Sequence, residues 1–348
     1  MVVVGGGQAA LATAWYLRRT GLTYVILDDQ AGPGGAWRRG WDSLRLFSPA
    51  RWSSLPGWLM DGSDETFPHR DEVRDYLAAY ERRYELPVER PVRVRAVETP
   101  ASEGPLQVRT DDGDTFRARA VVSATGTASN PWIPPVPGRD LHEGLQLHSA
   151  GYRAPWFHGL AGRRVAIVGG GNSGAQILAE VSREAETLWI TDGAPVFMPD
   201  HVDGATLFRE ATERWRARRD GEDVPPPRSL GDIVMVPSVR DARERGVLDR
   251  VDPPDRFDRH GPVWDTGRRW PADAVIWCTG VRPALGHLDP LGVRGPDGRI
   301  ETTGTRAVAE PRLWLVGYGD WTGWASATLI GVGRTARSTV AEIEAALG

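Results

Sequence analysis

A glycine-rich turn at the start of the chain most strongly constrains what these 348 residues can fold into. The apolar run Val2–Val4 has the composition of a buried strand, and the pattern Gly5-x-Gly7-x-x-Ala10 follows it at once. Residues 11–19 then repeat apolar side chains at helical spacing. In this context the glycines permit a tight turn and bring the backbone close to a pyrophosphate resting on the helix N-terminus. The alternative is an ordinary glycine turn without a ligand.

An acidic residue downstream favours the ligand. Residues 23–27 read as a second strand, and Asp28 ends it, 23 residues after Gly5. A carboxylate at this point of a dinucleotide-binding fold hydrogen-bonds the ribose hydroxyls of the adenosine half. The sequence therefore predicts a dinucleotide site whose first candidate residues are Gly5, Gly7, Gln8, Ala9, Asp28 and Asp29.

The same unit recurs in the second half of the chain. An apolar strand at residues 163–168 leads into a complete G-x-G-x-x-G that opens another helix. The acidic residue Asp192 follows Gly169 by 23 residues, the offset found between Gly5 and Asp28. Chance poorly explains such an internal repeat, and two nucleotide sites imply a flavin and a nicotinamide. The candidate residues of the second site are Gly169, Gly171, Asn172, Ser173, Gly174, Asp192, Cys278, Thr279 and Gly280.

The order of these segments predicts an α/β fold with two Rossmann-like dinucleotide-binding domains, the second inserted into the first. A buried strand at residues 313–316 precedes Gly319-Asp320 and a final helix, so we expect Asp320 to bind another part of the first nucleotide. The first predicted nucleotide-binding domain spans 1–157 and 278–348, and the inserted second domain spans 158–277. Met1 leaves the first strand only about four residues, against a usual five or six, so we expect a truncated N-terminus.

Composition excludes several classes of protein. A formal net charge of −4 gives no reason to expect nucleic acid or an anionic membrane as a partner. All 42 basic residues are arginine, which excludes catalysis by lysine. A single cysteine, Cys278, excludes an internal disulfide, a dithiol redox pair and a cysteine-rich metal site. No apolar run approaches 18 residues and the chain opens on a strand, so a cytoplasmic protein is expected.

These landmarks resemble the class B flavin-dependent monooxygenase superfamily over essentially the whole chain. The identifying motif of that superfamily, F-x-G-x-x-x-H-x-x-x-[YFW]-[KRP], appears at residues 142–153. Gly144, His148, Tyr152 and Arg153 agree with it, and His142 replaces the opening phenylalanine. More narrowly, residues 41–50 and 52–58 resemble the flavin monooxygenases encoded in arsenic-resistance operons.

The resemblance implies FAD in the first domain and NAD(P)H in the second. The nicotinamide would reduce the flavin, and a C4a-hydroperoxyflavin formed with O2 would oxygenate S, N or As in a small molecule, arsenicals included. No protein acid or base is assigned, and His148 and Tyr152 would serve the interdomain link and cofactor positioning. The resemblance adds these candidate residues to the FAD site: Gly35, Ala36, Trp37, Leu46, Val94, Ala124, Thr125, Gly126, Gly319, Asp320 and Leu329.

Two departures from the family pattern keep alternatives open. Oxygenating relatives often carry an asparagine where residues 45–49 have none, so an NAD(P)H oxidase or a flavin reductase is the second reading. Asp192 stands where NADPH-selective relatives often place arginine; since a carboxylate repels a 2′-phosphate, we expect NADH to be accepted at least as well as NADPH. A flavin-binding redox sensor is a third reading, and two intact glycine patterns argue against it.

Overall fold

The computed structural model describes residues 1–62, 67–100, 104–219, 222, 229 and 231–348, without the side chains of residues 211, 214–216, 218 and 219. The strands are β1 Val2–Val4, β2 Val25–Leu27, β3 Val88–Glu89, β4 Val94–Glu98, β5 Leu106–Thr110, β6 Thr115–Ala118, β7 Val121–Ser123, β8 Leu145–His148, β9 Arg164–Val168, β10 Glu186–Ile190, β11 Arg250–Val251, β12 Arg256–Asp258, β13 Gly261–Val263, β14 Ala274–Trp277, β15 Thr302–Thr303, β16 Arg306–Ala307 and β17 Leu313–Leu315. The α-helices are α1 Gln8–Leu17, α2 Arg70–Arg83, α3 Asn172–Val181, α4 Gly204–Arg219, α5 Pro237–Glu244 and α6 Leu329–Leu347.

The chain forms two compact units, of which the first comprises Met1–Arg39, Pro49–Asn130 and Arg282–Gly348. Its main sheet has the order β15-β16-β17-β7-β1-β2-β3, and the five strands from β17 to β3 run parallel. Strands β1, β7 and β17 are buried at every residue, as expected for parallel strands with covered faces. The apolar run Val2–Val4 therefore forms the centre of a Rossmann-like sheet, as the sequence predicted.

An antiparallel sheet of three strands, β4-β5-β6, accompanies the main sheet in the first unit. Its inward residues Val97, Leu106 and Val108 are completely buried, and they share one apolar cluster with residues of β1, β7 and β17. The alternation of apolar and polar residues in these strands follows from this one-sided burial.

The second unit comprises Gly40–Ser48 and Pro131–Val281. Its five-stranded sheet is parallel throughout, in the order β11-β10-β9-β14-β8, and β12 and β13 form a separate antiparallel pair. The segment Gly40–Ser48 belongs to the second unit because its side chains contact other residues of that unit. Trp41 packs in the core of this unit, and the Asp42 carboxylate pairs with Arg153 at 2.8 Å.

The limits of the two units differ from the boundaries expected from the sequence. The chain passes between them at Asn130–Pro131 and at Val281–Arg282, rather than at 157–158 and 277–278. Strand β8 accounts for the first difference, because it pairs along its length with β14, with Leu145 beside Ala274. The excursion of Gly40–Ser48 into the second unit was not expected at all.

In the described part of the chain, no helix combines the length and apolarity that crossing a bilayer requires.

Candidate nucleotide-binding sites

A cavity of about 580 Å³ lies in the first unit, beside the turn between β1 and α1. This volume lies in the range of cofactor pockets. Helix α1 has Gly7 as its N-cap and no side-chain cap, so its first N–H groups are available to a ligand. Many residues predicted from the sequence line this cavity: Gly5, Gly7, Gln8, Ala9, Asp28, Asp29, Gly35, Ala36, Trp37, Val94, Ala124, Thr125 and Gly126.

Close backbone contacts explain the glycines on the cavity wall. A Cβ atom on Gly5, whose φ is +101°, would lie 2.6 Å from the carbonyl oxygen of Ala124. Gly35 has φ +53°, and its Cβ would lie 2.6 Å from the Cα of Gly7. Alanine would therefore force apart segments whose contact forms the wall. This glycine cradle beside an uncapped helix N-terminus fits the pyrophosphate of FAD.

The acidic residue at the end of β2 forms a buried ion pair. The Nε of Arg90 donates to Asp28 at 2.6 Å, and its Nη1 donates to Glu81 at 2.7 Å. The side chain of Asp28 is only 2% exposed, whereas Asp29 is open to solvent. Although burial opposes the charged guanidinium, the hydrogen bonds that it donates to the two carboxylates raise the pKa of Arg90. Arg90 lies outside every motif in the sequence, so it was not among the predicted site residues.

Some residues predicted for the first site lie elsewhere. Leu46 belongs to the second unit, where it is buried. Gly319 and Asp320 do not line the cavity: the Gly319 amide donates to the Ser326 hydroxyl, and Asp320 is exposed at the start of a 3-10 turn. Leu329 is buried as the first residue of α6. In this part of the chain, Gly317 and Ala327 line the cavity instead.

A buried polar network supports the cavity wall at Thr125. The Tyr318 hydroxyl lies 2.6 Å from Ser123 Oγ and 2.7 Å from Thr125 Oγ1, and it accepts the Thr125 N–H at 3.2 Å. Ser123 also contacts Nε2 of His287 at 3.1 Å. Burial lowers the pKa of His287 to about 4 and raises the pKa of Tyr318, so both are neutral at physiological pH.

The second unit contains a similar glycine turn between β9 and α3. Gly169 has φ +129°, and a Cβ there would lie 2.2 Å from the carbonyl oxygen of Cys278. A Cβ on Gly174 would lie 2.1 Å from the carbonyl oxygen of Gly169. Gly171 is the N-cap of α3, again without a side-chain cap. Both glycine turns thus present an uncapped helix N-terminus, the arrangement that binds pyrophosphate.

The remaining predicted residues of the second site mainly contact backbone. Asn172 accepts the Val234 N–H at 2.9 Å and donates to the Asp232 carbonyl at 2.8 Å. Thr279 donates to the Trp132 carbonyl at 2.6 Å. The Cys278 thiol is buried, and burial raises its pKa to about 12. Ser173 lies next to Asn172 in the first turn of α3.

Opposite charges lie next to the end of β10 in the second unit. Asp192 is exposed two residues after the end of β10. Arg250, in the neighbouring strand β11, donates through Nη1 to the Thr191 carbonyl at 3.0 Å and to Asp252 at 2.8 Å. Arg250 was not among the predicted site residues, because no local sequence pattern shows that β11 lies beside β10.

The motif at residues 142–153 has a structural role within the second unit. His148 donates through Nε2 to the carbonyl oxygen of Gly280 at 2.9 Å, and its Nδ1 accepts the Ala150 N–H at 3.0 Å. Burial lowers the pKa of His148 and favours this neutral form. Tyr152 is completely buried beside His158. The ring of His142 is buried and packs edge-on against Phe257.

Two mainly parallel sheets, each with a glycine turn and a helix whose N-terminus has no side-chain cap, are typical of enzymes that bind two nucleotide cofactors. Residues 2–203 match the family model "Pyridine nucleotide-disulphide oxidoreductase". A flavin-containing monooxygenase from Stenotrophomonas maltophilia is 52% identical, with a TM-score of 0.90; the alignment covers 100% of this chain and 98% of that one. The uncharacterized oxidoreductase CzcO of Bacillus velezensis is 28% identical, with 98% of both chains covered. The rice indole-3-pyruvate monooxygenase YUCCA1 is 31% identical over 62% of this chain and 53% of its own.

The chain therefore belongs to the pyridine nucleotide-disulphide oxidoreductase family and, within it, to the NAD(P)H-dependent flavoprotein monooxygenases. The disulfide chemistry in the family name does not apply to this chain. Its single cysteine is buried in the second unit and has no second thiol with which to form a dithiol.

Proposed function

We propose that the protein uses FAD, NAD(P)H and O2 to oxygenate a soft heteroatom, S, N or As, of a small molecule. The observation that carries this proposal is the 52% identity to a flavin-containing monooxygenase over the whole chain, and a single cysteine leaves the protein without an internal dithiol. Because no dithiol can take electrons from the flavin, the acceptor must come from outside the protein. When bound, FAD would supply the hydride acceptance and the oxygen chemistry.

The residues of the chain would then bind and orient the cofactors. In the first unit, the turn at Gly5–Gly7 would hold the pyrophosphate of FAD, and Asp28 or Asp29 the adenosine ribose. In the second unit, the turn at Gly169–Gly174 would hold the pyrophosphate of NAD(P)H. The neutral state of His287 means that this side chain adds no charge beside the first site.

Isotope labelling under labelled O2 tests the oxygenation. The FAD-loaded protein would receive NADH or NADPH with a thioether, a tertiary amine or a trivalent methylarsenical. We expect one labelled oxygen atom in the product of at least one class, with little free peroxide. Stoichiometric peroxide with all three, and no labelled product, would contradict oxygenation of these substrates.

A flavin reductase or NAD(P)H oxidase is the second candidate function. The absence of asparagine from residues 45–49 favours it, because oxygenating relatives often have one in this region. The test mixes the reduced protein with O2 and follows the flavin spectrum over time. Fast reoxidation in a single step, with no intermediate spectrum between reduced and oxidised flavin, would support this candidate.

We further propose that NADH is accepted at least as well as NADPH. Asp192 and Asp252 would repel a 2′-phosphate, whereas the single guanidinium of Arg250 would attract it and already pairs with Asp252. The three charged residues near the end of β10, Asp192, Arg250 and Asp252, therefore carry more negative than positive charge.

Substitution of Arg250 should separate the two coenzymes. We expect Arg250→Met to raise the KM for NADPH about tenfold and to change the KM for NADH little, since a charged hydrogen bond is worth roughly 1.5–3 kcal/mol. Asp192→Ser should lower the KM for NADPH, because it removes a negative charge that would repel the 2′-phosphate. Both effects are measured as rates of flavin reduction at equal concentrations of NADH and NADPH. Arg269→Met is the control, because Arg269 also pairs with an aspartate, Asp258, in the same unit. A strong NADPH preference in the unsubstituted protein would refute the proposal.

A further inference from the structure

The side-chain amide of Gln8 joins three segments of the cavity wall in the first unit. Gln8 is the first residue of α1, directly after the N-cap Gly7. Its Oε1 accepts the indole N–H of Trp37 at 3.0 Å, and its Nε2 donates to the carbonyl oxygen of Ala327 at 2.6 Å. Gln8, Trp37 and Ala327 all line the cavity. The amide therefore holds a loop 29 residues away and a turn 319 residues away against the start of α1.

The turn that Gln8 reaches is itself tightly constrained. Thr328 caps α6 by accepting the Gly331 N–H at 3.0 Å, and its own hydroxyl donates to the Ala325 carbonyl at 2.8 Å. Ala325 has φ +58°, a value that side chains rarely adopt. Because the turn is rigid, a hydrogen bond to the carbonyl of Ala327 fixes the position of Gln8, and through Gln8 that of the Trp37 ring.

Both the oxygen and the nitrogen of the Gln8 side-chain amide are hydrogen-bonded to protein groups. The two contacts also assign the amide oxygen and nitrogen, since an indole N–H requires an acceptor and a carbonyl requires a donor. Asn172 occupies the equivalent first position of α3 in the second unit, and its amide also bonds one N–H, here of the backbone, and one carbonyl. Each repeat thus uses an amide at the start of its nucleotide-binding helix to fasten a distant segment.

The direction of the cavity identifies the part of the cofactor that Gln8 serves. The adenosine ribose belongs at the end of β2, near Asp28, and the pyrophosphate belongs at the glycine turn. The flavin ring would then lie beyond the glycine turn, beside Trp37 and Ala327, which line the same cavity and bond to the first residue of α1. We propose that Gln8 is a positioning residue that holds Trp37 and the Ala327 turn in place for the flavin ring. This inference rests on the proposed binding of FAD in the cavity.

Gln146 provides a matched control. Its Oε1 accepts the indole N–H of Trp277 at 3.1 Å, and its Nε2 donates to the carbonyl oxygen of Arg139 at 3.0 Å. The same pattern of tryptophan, glutamine and carbonyl therefore occurs in the second unit, and none of these three residues lines the cavity. Gln146→Leu removes as many hydrogen bonds as Gln8→Leu, so it measures the general cost of losing such a bridge.

The experiment compares FAD dissociation constants and visible circular dichroism of bound FAD in Gln8→Leu, Gln146→Leu and the unsubstituted protein. We expect Gln8→Leu to weaken FAD binding at least about tenfold and to change the flavin dichroism, since two hydrogen bonds are lost. Gln146→Leu should leave both unchanged. Trp37→Phe removes only the indole donor, and combined with Gln8→Leu it should weaken binding less than the sum of the two single effects.

Two outcomes would overturn the inference: unchanged FAD affinity and dichroism in Gln8→Leu, or equal changes in Gln146→Leu. If Gln8→Leu does not fold, Trp37→Phe with Gln146→Leu as its control makes the same comparison. Absence of FAD binding by the unsubstituted protein would instead refute the proposed function, so the two failures are distinguishable.

Discussion

Gly35→Ala is expected to weaken FAD binding about 100-fold. Gly35 has φ +53°, and a Cβ atom there would lie 2.6 Å from the Cα of Gly7, in the turn that we propose holds the pyrophosphate. A strained backbone costs of order 1–3 kcal/mol, and the clash cannot be relieved by a side-chain rotation because the atom it meets is backbone. The two segments must separate, which opens the cradle. Titration of the apoprotein with FAD, followed by flavin fluorescence, measures the loss.

Gly292→Ala is the matched control for this prediction. Gly292 has φ +63° in the same unit, and a Cβ atom there would have no neighbour within 4 Å. The Gly292→Ala variant therefore has the cost of alanine in a left-handed backbone conformation without the steric clash. Its FAD affinity should remain within about threefold of that of the unsubstituted protein. Equal losses in the two variants would show that general backbone strain, and not the contact between Gly35 and Gly7, limits cofactor binding.

Arg90→Met is expected to destabilise the protein by about 3–5 kcal/mol, because it leaves the carboxylates of Asp28 and Glu81 without their buried partner. The Glu81 Oε2 atom is already buried without a hydrogen-bond partner among the described residues, so the protein has little means of compensating. FAD affinity should also fall, because Asp28 would no longer be held at the ribose end of the cavity. Urea unfolding followed by tryptophan fluorescence, with and without FAD, measures both effects.

An exposed pair in the same region provides the comparison for Arg90. Arg93 lies 3.9 Å from Asp29, and their side chains are 68% and 38% exposed. Arg93→Met should cost no more than about 1 kcal/mol, since exposed ion pairs contribute little. Arg90→Lys should recover part of the stability, because a single ammonium cannot reproduce bonds from two guanidinium nitrogens. Similar destabilisation by Arg90→Met and Arg93→Met would contradict the importance assigned to burial.

Local sequence patterns were sufficient to predict the fold class and the glycine turns. A run of apolar residues followed by spaced glycines and a helical repeat extends over fewer than 30 residues, and its meaning depends on backbone geometry within that span. The predicted parallel strands, the position of Asp28 at the end of β2 and the second turn at Gly169 all have this local origin. The doubling of the unit strengthened the interpretation, because both copies place a carboxylate at the same offset.

Tertiary structure alone decided which side chains complete each site. Arg90 meets Asp28 across 62 residues, Gln8 meets Ala327 across 319, and Arg250 reaches Thr191 across 59. It also placed Gly40–Ser48, and with it Leu46, in the second unit. Such contacts depend on how separate elements pack, and no periodicity or spacing within a segment encodes them. The sequence thus determined two nucleotide-binding units through local backbone requirements, while long-range packing determined the ion pairs and hydrogen bonds that shape their cavities.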